Sequence, residues 1–197
     1  DAWDPMSYGA EYDFSKPFFT QFKELLSRVP IPARNVVSLA NADYCNHAAQ
    51  MKNAYLCFDS SGVENSAYVI MGTEVKEGFD VIESRHTELV YENYMVDEGY
   101  RVFFSVNCEE SNDIWFSKNL IGCSNCFGCV NLRKKSYCVF NEQYTKEAYL
   151  AFIKEFQSGS YEAVRAMRQK AEAYWLKYPV RFTLAIQVEN ATGEHIE

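Results

Sequence analysis

Proline and glycine are scarce, with five and nine residues in a chain of 197. That excludes a collagen-like repeat and argues against a low-complexity disordered chain. Long apolar runs are missing as well. No stretch approaches the roughly 20 residues of a membrane span, and no signal-peptide pattern opens the chain. Positive charge is short: 19 Lys+Arg stand against 27 Asp+Glu, a net −8. Nucleic acid is therefore a poor partner, because phosphate contacts need a cationic surface. What remains, 48% apolar, has the make-up of one soluble domain with appendages. The chain opens on Asp1, from which a processed chain or an excised fragment is expected.

Cysteine is plentiful. The seven are Cys45, Cys57, Cys108, Cys123, Cys126, Cys129 and Cys138. An odd count without a signal peptide points to free thiols in a reducing compartment, hence a cytoplasmic location. The run Cys123-Ser-Asn-Cys126-Phe-Gly-Cys129, with Cys138 nine positions on, looks in isolation like a zinc or iron–sulfur site.

Repeats change that reading. Cut every 12 residues from Asn41, the chain gives eight blocks without insertion, from NADYCNHAAQMK to NCFGCVNLRKKS, then a partial block YCVFNEQ. Column 2 is Ala42, Ala54, Ser66, Gly78, Val90, Val102, Ile114, Cys126 and Cys138. Columns 5, 8 and 11 are also small or apolar and nearly free of charge, and all seven cysteines fall in these four columns. A period of 3 within 12 fits neither a helix nor a flat strand. It fits a narrow coil that turns a corner every few residues and points each third side chain inward. Twelve residues at roughly 3.3 Å enclose a perimeter of about 40 Å, and coils stack about 4.8 Å apart. The expected fold is mainly β: a right-handed parallel β-helix, or β-solenoid, with about 12 residues per coil.

The aromatics, 16% of the chain, then lie outside the coil in columns 3, 4 and 6, among them Tyr55, Tyr68, Phe79, Tyr91, Phe103, Trp115, Phe116 and Phe127. So apolar a face needs a cover. The flanks supply helices: one over 16–28 capped by Ser15, one capped by Thr145 ending near Gly159, and one from Ser160 to Pro179. An alternating strand follows over 180–188. The expected division is 1–40 as an N-terminal capping segment, 41–144 as eight coils plus a partial one, and 145–197 as helices and a strand packed on the solenoid. Helices at both ends cap the coil and cover its aromatic face.

The opening DPMSYGAEYDFSKPFFTQFKELLSRVP, the block IGCSNCFGCVNLRKKSYCVFNEQYTKEAY and the closing ENATGEHI resemble those of uncharacterised Cys-repeat proteins of small-genome, uncultivated bacteria. The resemblance spans nearly the whole chain and implies a β-solenoid fold without an established activity. Such proteins often carry a zinc ribbon ahead of the segment matching Asp4–Pro30, which is not in this sequence, and have more N-C-x-x-C repeats. Some are labelled acyl-CoA transferases of the CaiB/BaiF type, an activity that no residues here support. The coil pattern is also similar to the 12-residue β-helix of beetle antifreeze proteins. Their ice face has paired threonines in columns 1 and 3, where this chain has Asn, Glu and aromatics, and their cross-coil disulfide joins columns 2 and 8, which no single coil here provides.

Three candidate chemistries follow. Cys123, Cys126, Cys129 and Cys138 lie in inward columns, so small buried fillers are favoured over metal ligands, with zinc or iron–sulfur binding and redox pairing as alternatives. Columns 9 and 10 stack Glu74, His86, Asp97, Glu98, Glu109 and Glu110, a partner-binding candidate because stacked like charges favour a basic partner. Residues 41–112 carry 4 basic and 13 acidic side chains (net −9), and 113–136 carry 4 and 1 (net +3), so oligomerisation through unlike ends is open. No catalytic constellation is assembled and no cofactor is called for. The expectation is a non-catalytic scaffold for a protein partner, with no membrane role. The alternatives are an acidic β-helix that imitates DNA, as pentapeptide-repeat proteins do, and a metal or redox protein.

Overall fold

The computed structural model describes residues 4–156 and 158–180. The chain divides into two units, 1–35 and 36–197. In the first, Asp4 caps a short 3-10 turn, Pro5–Tyr8, and a helix α1 runs Phe18–Leu26. Ser15 is not its cap, and the expected span of 16–28 shortens at both ends. Pro17 precedes the first turn and no side chain caps it, while the Ser15 hydroxyl donates to Asp13 Oδ1 at 2.6 Å.

The second unit is a solenoid of parallel strands with about nine coils. Its strands are β1 (Val36–Asp43), β2 (Asn46–Tyr55), β3 (Phe58–Ser61), β4 (Glu64–Ile70), β5 (Glu77–Ile82) and β6 (Leu89–Val96). They continue as β7 (Tyr100–Phe103), β8 (Val106–Glu109), β9 (Asn112–Trp115), β10 (Lys118–Ile121), β11 (Ser124–Phe127), β12 (Ser136–Val139) and β13 (Glu142–Gln143). Every parallel register is a step of 12: Val36 lies on Ala48, Ala48 on Ser60, and Cys126 on Cys138. The coil starts at Val36 rather than Asn41, because Val36 and Leu39 already keep the inward phase and pack against the core.

Each coil repeats a three-residue unit. The inward residue is followed by an outward one and then by a corner residue with positive φ, as at Asn41, Tyr44, His47 and Gln50. Such a corner costs an L-residue about 1–2 kcal/mol, so the ladders must offset it. Asparagine does so best. Asn53 bridges Asn41 and Asn65 at 2.9 and 2.8 Å, and Asn119 bridges Asn107 and Asn131 at 3.2 and 3.1 Å. At the corner of Gly128 an added Cβ would lie 2.7 Å from the Phe140 ring, so close approach rather than φ calls for glycine, because Phe116 and Phe140 hold the same positive φ one coil to either side.

The antiparallel pair β12–β13 ends the parallel stack. Two helices follow, α2 (Lys146–Glu155) and α3 (Tyr161–Trp175), capped as expected by Thr145 and Ser160 through the N–H groups of Ala148 and Ala163. Phe152, Phe156, Val164, Met167, Ala171 and Trp175 pack with Phe116, Phe127 and Val139 into a second core outside the coil. The expected strand over 180–188 falls, beyond Val180, outside the described residues. No described helix is long and apolar enough to cross a membrane.

Candidate functional site

The seven cysteines are free and buried. Cys123, Cys126 and Cys129 share one coil and Cys138 lies on Cys126 in the next. Their chemistry matches that of the serines in the same columns. Each inward serine among Ser60, Ser66, Ser105, Ser111 and Ser117 donates its hydroxyl to the carbonyl two residues back. Each also accepts the N–H twelve residues on, as Gly78 N–H to Ser66 Oγ at 2.8 Å. The thiols of Cys123, Cys126 and Cys129 donate to the same i−2 carbonyls at 3.5 Å, and Cys129 Sγ accepts from Asn141 N–H. Cysteine is thus a larger, less polar serine here. Burial pushes Cys57, Cys108 and Cys138 upward, Cys108 to about 12. Within the coil, Cys126 is held protonated by hydrogen bonding to Cys123 and Cys129, and that same bonding draws those two downward. No three His, Cys, Asp or Glu among the described residues are placed to hold a metal ion.

The acidic ridge stands at a corner: Glu74, His86, Glu98 and Glu110 all have positive φ. His86 Nδ1 pairs with Glu74 Oε2 at 3.4 Å. Asp97 and Glu98 sit one coil before Glu109 and Glu110, and none of the four has an ion-pair partner among the described residues.

The aromatic face is a continuous ladder. Ring centroids run Tyr44–Tyr55 5.7 Å, Tyr55–Tyr68 5.9 Å, Tyr68–Phe79 5.0 Å, Phe79–Tyr91 6.0 Å, Tyr91–Phe104 5.2 Å and Phe104–Phe116 4.7 Å. The helices following β13 cover only its far end. Phe116 and Phe127 are buried, whereas Tyr55, Tyr68, Phe79 and Tyr91 stay 37–43% exposed. Ile70, Ile82 and Tyr94 of column 6 are exposed beside them.

Where the cover begins, the coil face and α3 enclose a groove of about 530 Å³. Its coil side carries Tyr68, Ile70, Ile82, Tyr94 and Phe104 with Asp80 and Glu92; its α3 wall carries Arg168, Glu172 and Trp175. Arg168 lies 5.2 Å over the Phe104 ring and pairs with Glu92. The Trp175 indole N–H is buried without a hydrogen-bond partner among the described residues. Sequence reasoning missed the groove, since its wall comes from a helix far along the chain from its floor. One signal was there: Asp80 and Glu92 interrupt the column of Tyr44, Leu56, Tyr68, Phe104 and Phe116. Comparison with known proteins adds no kinship to this geometry, as no protein-family model, no curated protein and no solved structure matches the chain.

Proposed function

We propose that the chain is a non-catalytic repeat scaffold that binds another protein through the surface of its solenoid. The observation that carries this reading is the uncovered half of the aromatic ladder, Tyr44 to Tyr91, where rings stay exposed on successive coils. An apolar strip of that length on a rigid ladder is the kind of surface that association buries. The test is capture of a partner on immobilised protein, with Tyr55→Ser/Phe79→Ser as the comparison. Retention by the native chain and loss by the variant is expected. Substrate turnover abolished by one polar substitution would replace the scaffold with an enzyme.

A second reading, an acidic mimic of DNA, draws support from the uncompensated Asp97, Glu98, Glu109 and Glu110. Its partner would be a DNA-binding enzyme, and binding would vanish on charge reversal at those four positions. Binding that survives the reversal removes the mimic.

A further inference from the structure

The groove beneath α3 differs from the rest of the aromatic face in carrying charge. Among the described residues Asp80, Glu92 and Glu172 share the groove with a single cation, Arg168, and that cation is already paired with Glu92. Asp80 and Glu172 are exposed and have no ion-pair partner among the described residues. The groove therefore keeps two unspent carboxylates above a floor of Ile70, Ile82, Tyr94 and Phe104. Arg168 shows what such a surface accepts: its guanidinium lies over Phe104 and against Glu92, which joins a cation–π contact to a charge-assisted hydrogen bond. An anionic ligand is refused at the same rim, and the net −9 of residues 41–112 extends that refusal around it. A volume of about 530 Å³ falls in the range of ligand sites. The groove opens onto the exposed rings of Tyr68 and Tyr94, so a bound group has apolar surface to continue along.

We infer that this groove docks a basic, apolar peptide segment of a partner protein, with Lys or Arg side chains reaching Asp80 and Glu172 and apolar side chains on Ile70, Ile82 and Tyr94. The inference rests on the scaffold reading and gives it a site and a partner chemistry.

The probe is a short fluorescein-labelled peptide of Lys, Leu and Trp, titrated by anisotropy. Two companions replace its Lys by Glu, or its Leu and Trp by Ser. Only the basic, apolar peptide is expected to bind with saturation. Asp80→Lys/Glu172→Lys should weaken it about tenfold, the equivalent of about 1.4 kcal/mol. Glu109→Lys/Glu110→Lys, an identical change in net charge on columns 9 and 10, should weaken it less than about twofold, as expected for screened charges far from the ligand. Circular dichroism and thermal unfolding of both variants check that they fold, the expected result with Asp80, Glu172 and Glu110 exposed and Glu109 half-buried.

Equal weakening by the two pairs, or equal binding of the Lys/Ser peptide, reduces the effect to diffuse charge and overturns the groove. So does concentration-dependent dimerisation abolished by Asp80→Lys/Glu172→Lys, which would assign the groove to a second copy. A partner captured equally by native and groove-variant protein, yet lost in Tyr55→Ser/Phe79→Ser, removes the groove and leaves the scaffold standing. Loss of the scaffold reading itself would show as no partner captured by any form.

Discussion

Inside the coil each residue has two duties, to fill a small space and to satisfy backbone groups at the corners. Serine and cysteine do both, which is why they alternate in the same columns as valine and glycine. Cys108 carries a consequence for pH. Burial pushes its thiol from about 9 to about 12. Once unfolded it releases its proton near the ordinary value, so between pH 9 and 12 the unfolded state holds fewer protons than the folded one. Stability from this group is complete below pH 9 and is lost as pH rises toward 12, at about 1.4 kcal/mol per pH unit for one proton. Urea unfolding across that window should show the fall, and Cys108→Ala should make it shallower by one proton; an unchanged slope would contradict the assignment. Glycine has the filling duty alone at Gly78, where an added Cβ meets Val75 Cγ1 at 2.4 Å and Val90 Cγ2 at 3.3 Å. Gly78→Val should therefore destabilise by about 1–3 kcal/mol through overpacking, read as a lower urea midpoint. The inward columns were legible in the sequence because size and polarity mark them. The corners were not, because Tyr44, Met71 and Phe116 hold positive φ with no residue type announcing it; only asparagine at Asn41, Asn53 and Asn65 gives a hint.

Among the elements, the helices decide which part of the aromatic face is core and which is surface. Helices of 10 and 15 residues are about 15 and 22 Å long, whereas nine coils stacked about 4.8 Å apart span about 43 Å. The two helices cover the end of the ladder nearest their own start, where Phe116 and Phe127 are buried, and leave Tyr55 to Tyr91 exposed. Phe127 marks the covered end, with ring centroids 5.3, 5.0 and 5.1 Å from Phe116, Phe152 and Phe156. Phe127→Ala should cost about 3–5 kcal/mol, the range for a buried phenylalanine, while Phe79→Ala, 43% exposed, should cost about 1 kcal/mol. Similar urea midpoints for the two variants would mean that the helices following β13 do not seal the face. Thr145 and Ser160 announced the helix starts through local capping chemistry. Ser15 misled because the helix starts only at Phe18, after Pro17, which leaves Ser15 too early in the chain to reach the first-turn N–H groups. The groove was illegible for a different reason: local sequence fixes α3 as a helix but not which coils it crosses, so Arg168 could not be joined to Glu92 before the packing was seen.

At the scale of the solenoid, each coil is stabilised only by its neighbours, so stability is a sum of coil and interface contributions and varies along the stack. Among the described residues strand β1 pairs on one side only, with β2, and its inward Val36, Leu39 and Ala42 are only partly buried. The coils from β9 to β12 have neighbours, a thiol-lined interior and the second core of Phe116, Phe127 and the helices outside. Charge acts in the same direction: residues 41–112 repel one another at net −9, and 113–136 carry +3. Native-state hydrogen exchange should therefore rank protection from low in β1 and β2 to high in β9, β11 and β12, through openings that begin at β1 and propagate. Salt separates the two causes. At about 0.1 M the Debye length is about 10 Å, roughly two coil spacings, so added salt mutes repulsion between coils beyond the nearest. Protection in β2 to β6 should then rise with salt while β11 and β12 change little. A gradient that ignores salt would assign the difference to packing alone, and uniform protection would mean that the coils unfold as one unit, with the helices stabilising the distant end through the ladder as strongly as their own.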